Sequence, residues 1–123
     1  MKKLKKNAWN NKGLALDDLG KFDEAIKCYD KALEIYPEDD ITWNNKGFAL
    51  NSLGKFDEAI KCYNRALEIN PTSPEAQCNK EDALSNLRIQ ETRQLDKAKE
   101  KIQKWKDEGY NVDELEKMIE GAN

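Results

Sequence analysis

Cysteine side chains are the first candidates for chemistry in this sequence. The three cysteines, Cys28, Cys62 and Cys78, are separated by 34 and 16 residues. Cysteine pairs that bind zinc or perform thiol redox chemistry lie two residues apart, so this spacing predicts neither function. The chain contains no histidine, which excludes a Ser–His or Cys–His nucleophile pair and an imidazole metal ligand. We therefore interpret the cysteines as small core residues.

Neighbouring acidic side chains are the second candidates, and they occur at residues 17–18, 23–24 and 38–40. A carboxyl group becomes a general acid only where an apolar pocket raises its pKa, whereas acids at helix starts and on solvated faces have structural roles. The Gly-Lys pairs at 20–21 and 54–55 lack the glycine spacing and the Ser or Thr of a phosphate-binding loop. The sequence thus predicts a protein that is not an enzyme and that holds no catalytic residue, cofactor or metal.

Composition limits the remaining classes of function. The 123 residues include 21 basic and 24 acidic side chains, a net charge of −3, with 38% apolar and 37% charged residues. This length predicts one domain over residues 1–123, and the balanced charge argues against nucleic-acid binding. No apolar run approaches the ~18 residues of a membrane span, and no apolar segment of a signal peptide follows the basic start. We expect a cytoplasmic protein with reduced thiols and no membrane partner.

An internal repeat organises the chain. Residues 6–39 and 40–73 align at an offset of 34 without a gap, with 23 of 34 positions identical, and GKFDEAIKCY occurs at both 20–29 and 54–63. Within each unit the apolar residues are spaced by three and four, which predicts two helices. A glycine separates the two apolar stripes and a proline follows the second, so each unit is expected to be a helix, a tight turn and a second helix.

The repeated unit resembles the tetratricopeptide repeat, a helix–turn–helix unit of 34 residues. The resemblance is carried by Trp9, Gly13, Ala25, Tyr29 and Pro37 and by their equivalents Trp43, Gly47, Ala59, Tyr63 and Pro71. It implies an all-α fold, an α-solenoid of helical hairpins. Lys12 and Lys46 stand where the family has Leu, and we expect their stems to lie along the helix surface.

The origin of the repeats stays open in the sequence. The WNNKG opening of each unit is similar to prokaryotic, including archaeal, versions of the repeat. The near-identity of the two units fits a recent duplication and a design based on the family equally well.

Residues 74–108 allow two interpretations. Residues 79–87 keep the offset of 34, and shifting the register by five restores it further along, which predicts a degenerate third hairpin with a lengthened turn. However, no Gly or Pro occurs between Pro74 and Gly109, which also permits one long helix. A long helix would expose Leu95, Ala98 and Ile102 with Trp105, and would then pair with a second chain through residues 88–119.

The end of the chain predicts a short helix over residues 111–120. Asn111 and Glu114 have the spacing of a capping box, and one side of the helix carries Val112, Leu115, Met118 and Ile119. We expect this helix to fold back as a cap, because repeat arrays need one on their terminal apolar face.

The family resemblance implies where a partner binds, because the first helix of each unit lines a concave groove in that family. The groove residues expected here are Asn10, Asn11, Leu14, Asp17, Asn44, Asn45, Phe48, Asn51, Asn79 and Asp82. Side-chain amides can pair with the backbone of an extended peptide, and the apolar members offer contacts to its side chains. The alternative interpretation is that the asparagines are only polar surface.

A subgroup of the family grips a C-terminal carboxylate with Lys and Asn on the first helix, Asn on the second, and Lys and Arg on the third. Asn45 matches that pattern, but Asn10 and Leu14 occupy the first-helix positions and Glu75 and Asn79 the third-helix positions. We therefore expect no chaperone ligand of the carboxylate-clamp type.

Three functions remain after these exclusions, and the weakest of them is contact with RNA through the basic N-terminus. The first is a non-catalytic protein–protein interaction module that binds a peptide or partner helix in its groove. The alternative is a self-associating structural or engineered repeat protein that dimerises through its C-terminal helices.

Overall fold

All regular structure in the described part of the chain, residues 1–122, is helical. The computed structural model contains α1 Lys2–Asp18, α2 Phe22–Ile35, α3 Asp40–Ser52, α4 Phe56–Ile69, α5 Pro74–Asp107 and α6 Asp113–Ala122. The predicted all-α repeat fold with a C-terminal helix is confirmed. None of these helices is long and apolar enough to cross a membrane.

Contacts divide the chain into two compact units where the sequence predicted one domain. The first unit covers Met1–Asn86 and the second begins at Leu87. Helix α5 contributes its first part to the first unit and its remainder to the second. We describe the two units separately.

Glycine turns close both helical hairpins of the first unit. Gly20 and Gly54 have φ values of 76° and 80°, a backbone conformation that glycine adopts without a steric penalty. In the first turn the Lys21 amide donates to the Leu16 carbonyl at 2.8 Å, and in the second Lys55 donates to Leu50 at 2.9 Å. The predicted turns are therefore present, and α2 and α4 begin two residues after each glycine.

Each hairpin depends on a tyrosine packed directly against a glycine. A Cβ atom on Gly13 would lie 2.4 Å from Cε1 of Tyr29, and a Cβ atom on Gly47 would lie 2.5 Å from Cε1 of Tyr63. Both tyrosines are fully buried. The small residue lets the two helices of a hairpin approach until the ring fills the space between them.

The core of the first unit runs through both repeats. Ile26 of α2 packs against a cluster that contains Leu50 and Cys62 of the second repeat, and also against the cluster of Tyr29 and Ala49. Cys28 and Cys62 are buried, as predicted for core residues, whereas Cys78 is exposed. One aliphatic side chain thus joins the two hairpins.

Helix α5 settles the two interpretations of residues 74–108, because Pro74–Asp107 is one helix of 34 residues and not a folded-back hairpin. Ser73 Oγ accepts the Ala76 amide at 3.3 Å and so caps its start. Residues 88–94 contain no Gly or Pro to stop the helix and consist mainly of good helix formers. In the first unit, Ala83 of α5 is buried in the cluster of Leu50 and Tyr63.

In the second unit, α6 folds back against the end of α5. Asn111 Oδ1 accepts the Asp113 amide at 3.1 Å, and Lys106 Nζ lies 3.2 Å from Glu116 Oε1. Ile102 and Val112 are buried. The helix starts at Asp113, two residues after the start of the predicted range 111–120, because its first backbone bond runs from the Glu116 amide to the Val112 carbonyl.

The apolar stripe predicted for a long helix is therefore only partly exposed. Its members differ, since Ile102 is buried, Leu95 and Trp105 are half-buried and Ala98 is exposed. The backbone of α5 leads directly into this covering helix through Gly109, which has φ 95°. The stripe thus finds part of its cover within its own unit.

The tyrosine–glycine contact predicts the effect of adding one methyl group. Gly13→Ala or Gly47→Ala forces the ring of Tyr29 or Tyr63 to move, and we expect each to lower the free energy of unfolding by about 1–3 kcal/mol. Urea unfolding followed by circular dichroism measures this. Gly121→Ala is the matched control, because a Cβ atom there meets nothing within 4 Å. Equal stability of Gly13→Ala and Gly121→Ala would contradict the close approach.

Candidate interaction site

Side-chain amides join the first helices of the repeats to one another. We call the surface formed by the ten predicted groove residues of α1, α3 and the start of α5 the first-helix face. Its asparagine bonds join Asn45 to Asn10, Asn79 to Asn44, and Asn86 to Asn51, at 3.1, 3.0 and 3.3 Å. In each bond, Nδ2 of the residue later in the chain donates to Oδ1 of the earlier residue. The two residues are 35 positions apart, one more than the repeat length.

The most buried of these amides, that of Asn10, belongs to a polar network between α1 and α3. Asn10 is 8% exposed, and its Oδ1 lies 3.4 Å from Thr42 Oγ1. Thr42, which is fully buried, donates its hydroxyl to the Asp39 carboxylate. Lys6 Nζ lies 3.1 Å from that same carboxylate. Asn10 is therefore held inside a helix–helix contact and presents little of its amide to a ligand.

Asp17 is also turned toward the interior of its own repeat. The Tyr29 hydroxyl donates to Asp17 Oδ2, while Asp17 Oδ1 is buried without a hydrogen-bond partner among the described residues. Burial raises the pKa of Asp17, the bond from Tyr29 lowers it, and the charge of Asp18 raises it further. This arrangement makes Asp17 a poor contact for a partner.

The equivalent position of the second repeat is used differently. Asn51 takes the place of Asp17 and donates to Asp82 Oδ2 of α5 at 3.3 Å. In the described chain, the Tyr63 hydroxyl is buried without a partner. The two hairpins, which are identical at 23 of 34 positions, thus differ in whether the tyrosine hydroxyl has a hydrogen-bond partner.

Four members of the first-helix face are exposed to solvent. Leu14 is 40% exposed and Phe48 is 49% exposed, and Asn11 and Asp82 are also exposed. The half-buried members are Asn44, Asn45, Asn51 and Asn79. The structure therefore brings the predicted residues together but separates them into an internal amide ladder and a set of accessible apolar and polar side chains.

Sequence reasoning did not identify two members of this arrangement, Asn86 and Thr42. In the 34-residue register Asn86 aligns with Ser52, but its amide bonds to Asn51, one position earlier. The register therefore does not point to this pair. Thr42 takes the place of Ala8 in the first unit, so the repeat itself does not predict its polar role. A search for amide pairs at an offset of 35 would have found Asn86.

The charge on this face is negative where it reaches α5. Glu75 and Asp82 are both exposed, and the ten groove residues contain two acids and no base. Such a face attracts basic groups and repels carboxylates.

The other side chains that could react or bind a metal lie outside this face or at its margin. Burial raises the pKa of the Cys62 thiol to about 11, so it is protonated and unreactive at neutral pH. Within the described residues, no three His, Cys, Asp or Glu side chains are grouped to hold a metal ion. The face is therefore suited to non-covalent contacts through amides and apolar side chains.

Antiparallel helical hairpins with a constant repeat length define a helical repeat protein. The sequence model of the tetratricopeptide repeat matches residues 7–39 and 41–73. The chain belongs to the tetratricopeptide repeat family. No curated protein sequence matches it.

Solved structures with the same fold are numerous. The TPR2B domain of yeast Sti1, in a complex with pHsp70, is 26% identical, with a TM-score of 0.68 over 76% of each chain. The first TPR of Spaghetti (RPAP3), bound to the HSP90 peptide SRMEEVD, is 24% identical, with a TM-score of 0.67 over 97% of this chain and 95% of that one. The second TPR of the same protein, bound to the same peptide, is 21% identical, with a TM-score of 0.66 over 73% and 84%.

The raised pKa of Asp17 predicts a pH-dependent difference between the wild-type protein and Asp17→Asn. The folded protein holds the Asp17 proton more tightly than the unfolded chain, so the contribution of Asp17 to wild-type stability falls as the pH rises from 3.8, the ordinary pKa, through the higher pKa of the folded state. The stability of Asp17→Asn relative to wild type should rise over that window and then level off. Urea unfolding from pH 3 to 7 measures it, and a constant difference would contradict the pKa direction.

Proposed function

We propose that the first-helix face binds a segment of a partner protein, as an extended peptide or a helix, without catalysing a reaction. One observation carries the proposal, which is the pair of exposed apolar side chains, Leu14 and Phe48, on successive first helices. They lie among asparagine side chains whose orientations are fixed by hydrogen bonds between helices. Apolar anchors beside oriented amides suit recognition of a peptide by its side chains and its backbone together.

The comparisons support an interaction module in general terms. The solved tetratricopeptide repeat domains of similar fold are described as bound to an HSP90 peptide or in a complex with pHsp70. This chain has the same helical framework, and the framework creates the same kind of face from its first helices.

The ligand we propose differs in charge from the HSP90 peptide SRMEEVD, which has three acidic residues among its last four. Glu75 and Asp82 would repel an acidic terminus, and Asn10 is too buried to replace a clamp lysine. We infer a neutral or basic segment that carries at least one apolar residue for Phe48. A carboxylate-clamp ligand remains outside this proposal.

The experiment compares partner capture by three forms of the full chain. Leu14→Ser combined with Phe48→Ser removes the anchors, and Leu19→Ser combined with Met118→Ser is the matched control, because both control residues are 71% exposed and lie outside the first-helix face. Burial of one large apolar side chain contributes about 1.5–3 kcal/mol, so the anchor variant should lose at least about tenfold in affinity. Quantitative mass spectrometry of captured proteins, followed by titration of each specific partner, measures this.

Two results would contradict the proposal. A partner that is bound equally by wild type and by both double variants would place the binding site away from the first-helix face. A partner lost from both variants equally would indicate non-specific apolar capture.

A further inference from the structure

We call the side of a repeat that faces the preceding repeat its leading edge. The second repeat shows how such an edge is covered. Helix α2 of the first repeat packs on the second, where Ile26 contacts the cluster that includes Leu50 and Cys62. Beside this contact, Lys46 Nζ lies 2.7 Å from Asp30 Oδ1. Ile26 therefore covers the apolar surface of the second repeat. Asp30, four residues later, pairs with Lys46 of that surface.

The first repeat carries the same edge with no helix of the described chain over it. The residues equivalent to the covered set are Trp9, Lys12, Leu16 and Cys28, and they line an open groove of about 290 Å³. Leu16 is half-buried, whereas its counterpart Leu50 is only 4% exposed. We call this groove the leading-edge groove.

Its lysine lacks the acid that the second repeat provides. Lys12 Nζ lies 5.5 Å from the centre of the Trp9 ring, as Lys46 lies 5.6 Å from that of Trp43. Among the described residues, Lys12 has no carboxylate within 4 Å, in contrast to the bond of Lys46 with Asp30. The groove lining adds Lys27 and Lys31 against a single acid, Glu24, so its charge is positive.

We propose that the leading-edge groove binds an amphipathic helix of another protein that carries acids on its contact face. The helix would present an aliphatic residue, with an acid three residues before it and another four residues after it. This is the pattern of Asp23, Ile26 and Asp30 in α2, which line the equivalent covered groove. The aliphatic residue would contact Leu16 and the later acid would pair with Lys12, as in the second repeat.

A second copy of this chain does not supply such a helix. With Leu, Ile, Val and Met counted as aliphatic, the pattern occurs once in the 123 residues, at Ile26. Helix α2 already uses it against the second repeat of its own chain. The equivalent residue Ile60 has Asp57 three residues before it but Asn64 four residues after it, so it lacks the acid for Lys12.

A synthetic copy of α2 provides the probe. The peptide covers residues 20–36 with Cys28→Lys, and a lactam between Glu24 and this lysine fixes the helix on the side away from Ile26. Titration of the ¹⁵N-labelled full chain should shift the Trp9 indole signal in a saturable manner, while the amide of Phe48 on the first-helix face stays unchanged. The signal also separates this proposal from the proposed function, which concerns that other face.

Charge exchange tests the pairing itself. Lys12→Glu in the protein, or Asp30→Lys in the peptide, should each weaken binding by at least about fivefold, because the exchange replaces attraction by repulsion. The two changes together should restore affinity to within about twofold of the original pair. Lys3→Glu is the matched control, because Lys3 is exposed on the same helix and lies outside the groove lining, and it should leave the affinity unchanged.

Three results would overturn the proposal. The first is no shift of Trp9 at millimolar concentrations of the constrained peptide, and the second is binding that Lys12→Glu and Lys3→Glu weaken equally. The third is a concentration-dependent dimer of the full chain, seen by sedimentation velocity and abolished by Lys12→Glu, which would assign the groove to a second copy.

Discussion

The contact between a tyrosine ring and a glycine backbone sets the geometry of the first unit. Tyr29 and Tyr63 fill the space that Gly13 and Gly47 leave open, so the two helices of each hairpin have one close approach and one relative rotation. That rotation directs Ile26 outward toward the next repeat. It also directs the opposite side of each first helix toward its neighbour, where the asparagines meet.

The asparagine ladder follows from a difference of one residue between sequence repeat and spatial neighbour. The chain repeats every 34 residues, but amides bond across 35, because equivalent residues lie on the same side of their helices and so do not face each other. A buried amide without a partner would destabilise the fold by about 1–3 kcal/mol, so pairing satisfies a requirement of folding before any ligand is present. Leu14 and Phe48 are the exposed apolar side chains of this face, and we propose them as its contacts to a partner, while the ladder holds their helices in place.

The fold was predictable where the sequence contains its own stop and turn signals. Gly20 and Pro37 bound α2, and the observed helix Phe22–Ile35 lies between them. Residues 88–94 contain no such signal, and the absence of Gly and Pro permits both a helix and a lengthened turn, so only the structure decides between them. In the same way, Asp17 lies on the predicted face by helical spacing, but its bond from Tyr29 depends on how two helices pack, which periodicity does not specify.

Asparagines on successive first helices bind one another through their side-chain amides. A double-mutant cycle of Asn44→Ala and Asn79→Ala, followed by urea unfolding, tests it most directly, because these amides bond at 3.0 Å and Asn79 is the donor. The account predicts that the two substitutions are non-additive, with a coupling free energy of about 0.5–1.5 kcal/mol. Strict additivity would contradict it and would return these amides to the role of unpaired polar surface.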